Sequence, residues 1–145
     1  MHEDCIFCRI VGGQAPAAVV YQDELTFAFL DHNPVTRGHA LVIPRAHLED
    51  IYALDDGNAA ALMVTGAKVA RAAKAALDCD GLNFWMANER LAGQVVFHAH
   101  LHVIPRYPDD GFGLRRWAFG ERPGHAELAE LAQTIAARLE APVNG

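Results

Sequence analysis

Val95-Val96-Phe97-His98-Ala99-His100-Leu101-His102-Val103-Ile104 is the stretch on which the reading of the fold turns. Apolar and imidazole side chains alternate along it with the period of an extended strand. That period sends His98, His100 and His102 to one face and Phe97, Ala99, Leu101 and Val103 to the other. One face is expected to be core and the other chemistry, on a strand running from Val95 to Ile104 and stopping before Pro105. Three of the chain's eight histidines fall here, a concentration that a merely solvated strand face does not explain. Three neighbouring imidazoles can bind a metal, pass protons, or act as nucleophile and charge stabiliser for a phosphoryl group, and their spacing alone does not choose. The turn just upstream, Ala92-Gly93-Gln94, tips the balance. Its backbone N–H groups can face an anion, and the missing Cβ lets a phosphate come close.

Working back from that strand, Leu82-Asn83-Phe84-Trp85-Met86 has strand composition, and Gly81 suits the turn out of a preceding helix. That helix is expected from about Asn58 to Leu77, where Leu62, Gly66, Val69, Ala73 and Leu77 form one stripe at helical spacing, with Asp55 or Asp56 as its cap. Three short strands precede it: Val19–Tyr21, Thr26–Leu30 and His39–Ile43, the first two joined as a hairpin through Gln22-Asp23-Glu24 and the third closed by Pro44. Beyond the histidine strand, an amphipathic helix is expected from about His125 to Leu139, with Leu128, Leu131, Ile135 and Leu139 on one side. Five strands around one long helix, joined by short turns, favour an α+β fold with an antiparallel sheet.

At 145 residues the chain suits a single domain, 1–145, large enough for one core and too small for two ordinary ones. A formal net charge of −6 and no run of Lys or Arg argue against general nucleic-acid binding. The N-terminus has no basic segment followed by an apolar one, and no stretch is apolar enough to span a membrane, so a cytoplasmic protein is expected. The three cysteines fit that setting. Cys79 reads as a small buried residue. Cys5-Ile-Phe-Cys8 suits one metal ion better than a disulfide framework. With His47 and His98 it supplies the two-sulfur, two-nitrogen set that closes a tetrahedral structural zinc site.

Three groups of residues together resemble the histidine-triad (HIT) family over about residues 5–106. They are Cys5-Ile-Phe-Cys8-Arg9-Ile10; Phe29-Leu30-Asp31-His32-Asn33-Pro34 followed by Gly38-His39-Ala40-Leu41-Val42-Ile43-Pro44-Arg45-Ala46-His47; and Ala92-Gly93-Gln94 continuing through the histidine strand to Pro105-Arg106. Asp109-Asp110-Gly111-Phe112 also looks like bacterial members. The resemblance implies a homodimer whose two sheets join, binding one purine nucleotide per subunit. It implies hydrolysis of nucleoside phosphoramidates, acyl-nucleotides or dinucleoside polyphosphates without a catalytic divalent metal. His100 would attack the α-phosphorus and form a nucleotidyl-histidine that water later cleaves. His102 and His39 would lie beside the phosphate oxygens, Asn88 and the Gly93 and Gln94 amides would donate to them, Asp31 would accept from the ribose, and Phe29 would wall the base.

Three positions depart from the family pattern. Val95 stands where many relatives have Ser or Thr, removing a hydroxyl while keeping a backbone N–H. Glu89 follows Asn88 where Gly is common, placing a negative charge near an anionic ligand. His32 replaces a usually apolar residue near the base. Nucleotidyl transfer to a sugar phosphate is disfavoured, because Ala99 separates the histidines and His102 stands where the related uridylyltransferases carry Gln. A dinucleoside polyphosphate hydrolase or a non-catalytic nucleotide-binding module remains the alternative to phosphoramidate hydrolysis.

Overall fold

The computed structural model describes residues 2–113 and 123–139. Its first helix, α1 (Ile6–Val11), was not foreseen: six residues are too few to show a helical period or to hold a helix by themselves. It is held instead by Phe7 and Ile10, which it buries against the sheet. Asp23 then makes the expected hairpin. Its Oδ1 accepts the N–H groups of Leu25 and Thr26 at 3.0 and 2.8 Å, folding β1 (Val19–Gln22) back onto β2 (Thr26–Leu30). Strand β3 (Ala40–Pro44) follows, then α2 (Asp56–Leu77), β4 (Gly81–Trp85) and β5 (Leu101–Arg106). The sheet order is β1-β2-β3-β5-β4, with every pairing antiparallel. The α+β expectation with five strands therefore holds.

The main differences from the sequence reading lie at the end of α2, at the two prolines and at the histidine strand. Asp55 caps α2 as expected, accepting from Asn58 N–H at 2.8 Å, but the helix ends on Asp78 in the left-handed region (φ 52°). Gly81 is instead the first residue of β4. Pro44 and Pro105 belong to the strands: β3 ends on Pro44 itself, and β5 runs through Pro105 to Arg106. The β3–β5 ladder covers only Ala40–Val42 against Leu101–Val103, so each proline has a strand on one side only, where a missing donor is tolerated. The largest correction is at the histidine strand: Val95–His100 is irregular loop, and β5 begins at Leu101.

Both faces of the sheet are cores. Ala28, Ala40, Val42, Leu101 and Val103 pack against Leu62 and Val69 of α2. Phe27, Phe29, Leu41 and Ile43 pack against Phe7 and Ile10 of α1. The expectation of one apolar and one chemical face is thus corrected: His102 faces the same way as its cross-strand partner Leu41, at the end of an apolar layer. Gly38, ahead of β3, requires glycine twice over. Its φ is +86°, and a Cβ would run into Leu77 Cδ1.

The chain divides into two compact units, one within residues 1–112 and one within 113–145. The first carries the sheet. The second carries α3 (His125–Ala136), which starts where expected and ends three residues short of Leu139, with Leu128, Leu131 and Ile135 exposed along it. Among the described residues, no helix is long and apolar enough to cross a membrane.

Candidate functional site

The four residues expected to hold zinc come together from three separate parts of the chain. Cys5 immediately precedes α1 and Cys8 lies in its first turn; His47 follows β3, and His98 lies in the loop before β5. Cys8 Sγ is 3.3 Å from His47 Nδ1 and 3.7 Å from His98 Nδ1, and Cys5 Sγ is 3.6 Å from His98 Nδ1. Bonds of about 2.3 Å to sulfur and about 2.05 Å to nitrogen at the tetrahedral angle require a ligand spacing of about 3.6 Å, so the set has the right size. His98 also has the right tautomer. Its Nε2 lies 2.8 Å from the Pro44 carbonyl, which can only accept; the proton is therefore on Nε2, leaving the Nδ1 lone pair for a metal, with the carbonyl as outer partner. Burial pushes the His98 pKa down to about 4, which keeps the imidazole neutral, as a ligand must be. Burial likewise lowers His47 and raises the Cys5 thiol.

Asp31, His39 and His102 form a second cluster of metal-binding residue types, but their hydrogen bonds favour a different use. Val35 N–H donates to His39 Nδ1 at 3.2 Å, so neutral His39 carries its proton on Nε2, the atom a metal would need. That Nε2–H points at His102 Nδ1, 2.8 Å away, with Asp31 Oδ2 at 3.6 Å. His102 consequently accepts at Nδ1 and holds its own proton on Nε2. Burial, reinforced by His100 and His39, pushes its pKa down to about 4. The outcome is a chain of neutral donors ending on His102 Nε2–H.

His100 is polarised in the opposite sense. Its Nδ1 is 2.7 Å from the His98 carbonyl, so Nδ1 bears the proton and Nε2 carries a lone pair. Burial lowers its pKa, with the His98 carbonyl opposing, and the lone pair is available at neutral pH. The His100 and His102 ring centres are 4.9 Å apart. A base at one nitrogen thus sits beside a neutral donor at the next residue but one, a pairing suited to attack on an electrophile that bears oxygens.

The remaining expected residues divide into two groups. Phe29, Asp31 and His32 line one open cleft of about 720 Å³ together with Ile6 and Ile10. The His32 side chain is fully exposed at its edge, and Asp31 is held by Asn33 N–H at 2.9 Å. The second group belongs to the 88–95 loop. Asn88 Oδ1 accepts from Ile51 N–H at 2.8 Å, which leaves its amide hydrogens to donate. The Gly93 and Gln94 N–H groups are bonded to the Arg90 and Glu89 carbonyls, both at 3.1 Å. Gln94 is buried, and its side chain joins Glu89 N–H to the Glu49 and Val96 carbonyls. These two residues therefore shape the loop, while the Val95 N–H makes no hydrogen bond among the described residues. The sequence reading missed the Pro44 and His98 carbonyls and the Val35 N–H, the groups that fix the tautomers of His98, His100 and His39 and, through His39, that of His102. They are backbone groups and leave no mark in a side-chain pattern. Phe7 was also missed, although its place between Cys5 and Cys8 was a usable signal.

A family model described as HIT domain matches residues 12–109. The chain is similar to a crystal structure of a HIT-family member from Bacillus subtilis, with 42% identity and a TM-score of 0.91 over 96% of this chain and 99% of that one. It is also similar to a crystal structure of a Zn-bound histidine triad family protein from Mycobacterium smegmatis, at 38% identity and a TM-score of 0.71 over 93% and 98% of the two chains. A relative from Arabidopsis thaliana named Adenylylsulfatase HINT3 is 34% identical over 76% of this chain and 56% of that protein.

Proposed function

Because this chain belongs to the HIT domain family, we propose that it is a nucleotide hydrolase that cleaves nucleoside phosphoramidates or related AMP conjugates through a nucleotidyl-histidine on His100. The observation that carries the reading is the fixed tautomer of His100. With Nδ1–H held by the His98 carbonyl, Nε2 attacks the α-phosphorus without first losing a proton. As the Nε2–P bond forms, the P–N bond breaks and the amine leaves with a proton taken from solvent, which the water of the second step returns when its oxygen bonds to phosphorus. Water then cleaves the Nε2–P bond, releasing AMP and restoring His100. The neutral His102 Nε2–H, aligned by His39, donates to a phosphate oxygen, as do the Asn88 amide and the Val95 N–H. Removing one such preorganised donor costs on the order of 10²-fold to 10³-fold in kcat.

The base and ribose are proposed to occupy the cleft bounded by Phe29, Asp31 and His32, with the Asp31 carboxylate accepting from a ribose hydroxyl and a purine over Phe29. Cys5, Cys8, His47 and His98 would hold a structural zinc ion, a reading supported by their spacing and by the Zn-bound relative. Zinc supplies the cross-link that fixes α1 and the loop before β5; every step at phosphorus is carried by side chains and backbone. A homodimer is proposed through edge strand β4 and α2, where Phe84, Trp85, Met63 and Val64 are exposed. A cytoplasmic setting fits its three free cysteines. The test is release of AMP from an adenosine phosphoramidate by purified protein. Turnover lost in His100→Ala supports the reading. Binding without turnover would make the protein a nucleotide-binding module, and preference for a dinucleoside polyphosphate would change the substrate class.

A further inference from the structure

Phe7 belongs to neither the ligand set nor the phosphate donors, yet it touches both. In sequence it lies inside Cys5-Ile-Phe-Cys8, so its backbone is bounded on each side by a residue of the zinc cluster. In space its ring meets His100 edge to face, with centres 5.3 Å apart and planes at 82°. It meets His98 in the same manner at 5.8 Å and Phe29, the proposed wall for the base, at 5.5 Å. It is buried, so these contacts exclude water and leave the ring little freedom.

We propose that Phe7 is a positioning residue for His100, passing the geometry of the Cys5–Cys8 cluster to the imidazole that attacks phosphorus; this rests on the reading of His100 as the nucleophile. Among the described residues His100 is hydrogen-bonded at one ring atom, through Nδ1–H to the His98 carbonyl, with the His102 ring against another side. One hydrogen bond leaves the ring free to tilt about its χ2, a broad torsion in histidine. The Phe7 ring supplies the lateral wall that a single bond cannot. With the wall in place, Nδ1 stays on the carbonyl and the Nε2 lone pair stays aimed at the phosphate subsite. His98 closes the circuit, because the residue whose carbonyl orients His100 is itself a member of the cluster that brackets Phe7.

A leucine at this position keeps apolar character and much of the volume, so Phe7→Leu removes the ring wall while preserving most of the packing. The primary measurement is nitrogen NMR of the histidine side chains in the zinc-loaded protein. Wild type is expected to show His100 with Nδ1 protonated and Nε2 bearing the lone pair, and nuclear Overhauser contacts between the Phe7 and His100 rings. Phe7→Leu is expected to show a mixture of the two His100 tautomers with one zinc retained. It should also lower kcat roughly tenfold to a hundredfold while KM changes less than about twofold, the pattern of a misaimed attacking group. A pure Nδ1–H tautomer in Phe7→Leu overturns the proposal whatever its activity. If that variant does not fold, the wild-type ring contacts decide, and their absence overturns it. Both NMR readouts stand whether or not the protein turns over a phosphoramidate, so failure of this proposal is distinct from failure of the hydrolase reading.

Discussion

Replacing Glu89 tests whether the loop beside the proposed phosphate site is strained, and the magnitude follows from its backbone. Glu89 has φ 70° and ψ 159°, a region occupied almost only by glycine, where another residue costs on the order of 1–3 kcal/mol. The strain is held by three hydrogen bonds: its N–H to Gln94 Oε1 at 2.7 Å, and its carbonyl from Ala92 N–H at 3.2 Å and Gln94 N–H at 3.1 Å. Glu89→Gly relieves it but adds freedom to the unfolded chain, a loss of about 0.4–1 kcal/mol. The net expectation is a gain of about 0.5–2 kcal/mol. At about 2–4 °C per kcal/mol for a chain near this length, that raises the melting temperature by roughly 1–8 °C. Glu89→Ala keeps the strain and removes the charge, so its melting temperature should stay near wild type. The assay is thermal unfolding of the three proteins side by side in one buffer. Glu89→Gly no more stable than Glu89→Ala would refute the strain argument. The same pair separates backbone from charge in catalysis. The exposed carboxylate repels a longer polyphosphate, so both variants should raise kcat/KM for diadenosine tetraphosphate more than for an adenosine phosphoramidate, with the gap narrowing as salt screens the charge.

Two further outcomes are expected. Protein purified without added zinc should contain about one equivalent by metal analysis, and a Cys5→Ser, Cys8→Ser double variant should lose it and melt at lower temperature, since a closed structural site contributes directly to folding; an equally loaded, equally stable variant would contradict the site. Stability should fall as pH drops from about 6.5 toward 4. Burial lowers the folded pKa of His102 to about 4, so the unfolded chain takes up the proton first, and the contribution of neutral His102 is complete above the ordinary histidine value and lost on the way down. A pH series of melts should show this slope, which buried His98 shares, so His102→Gln should make it shallower without removing it; equal slopes would show that His102 is not held neutral.

Much of this was legible in the sequence because the signals were local and periodic. The stripe from Leu62 through Val69 marked the face of α2 that packs on the sheet, and Asp23 marked the hairpin. The clustering of Cys5, Cys8, His47 and His98 was legible by chemistry, since Cys and His at those spacings suit a metal better than a disulfide framework. Of the strand expected from Val95 to Ile104, the part from Leu101 is present and Val95–His100 is loop, because alternation does not by itself make a segment extended. Gly93 in the left-handed region (φ 96°) and the buried Gln94 hold this segment as a loop, and near its end Ala99 N–H donates to the Leu48 carbonyl at 2.7 Å. His98 is fully buried beside the cysteines, while Phe97, assigned to the core, is partly exposed. The identities of the three histidines therefore carried more information than their parity. The tautomers that distinguish His100 from His102 were beyond reach, because backbone carbonyls and amides fix them, and their positions exist only once the chain has folded.

The central claim is that His100 Nε2 becomes bonded to phosphorus, and the most direct measurement is mass spectrometry of enzyme quenched during turnover of an adenosine phosphoramidate. The quench should be denaturing and kept from acid, so that a phosphorus–nitrogen bond survives. The account predicts an added adenylyl group on the peptide that contains His100, appearing on mixing, decaying as substrate is consumed, and missing from His100→Ala, which should bind AMP but not turn over. Full activity in His100→Ala with no adduct in wild type at any time would contradict it.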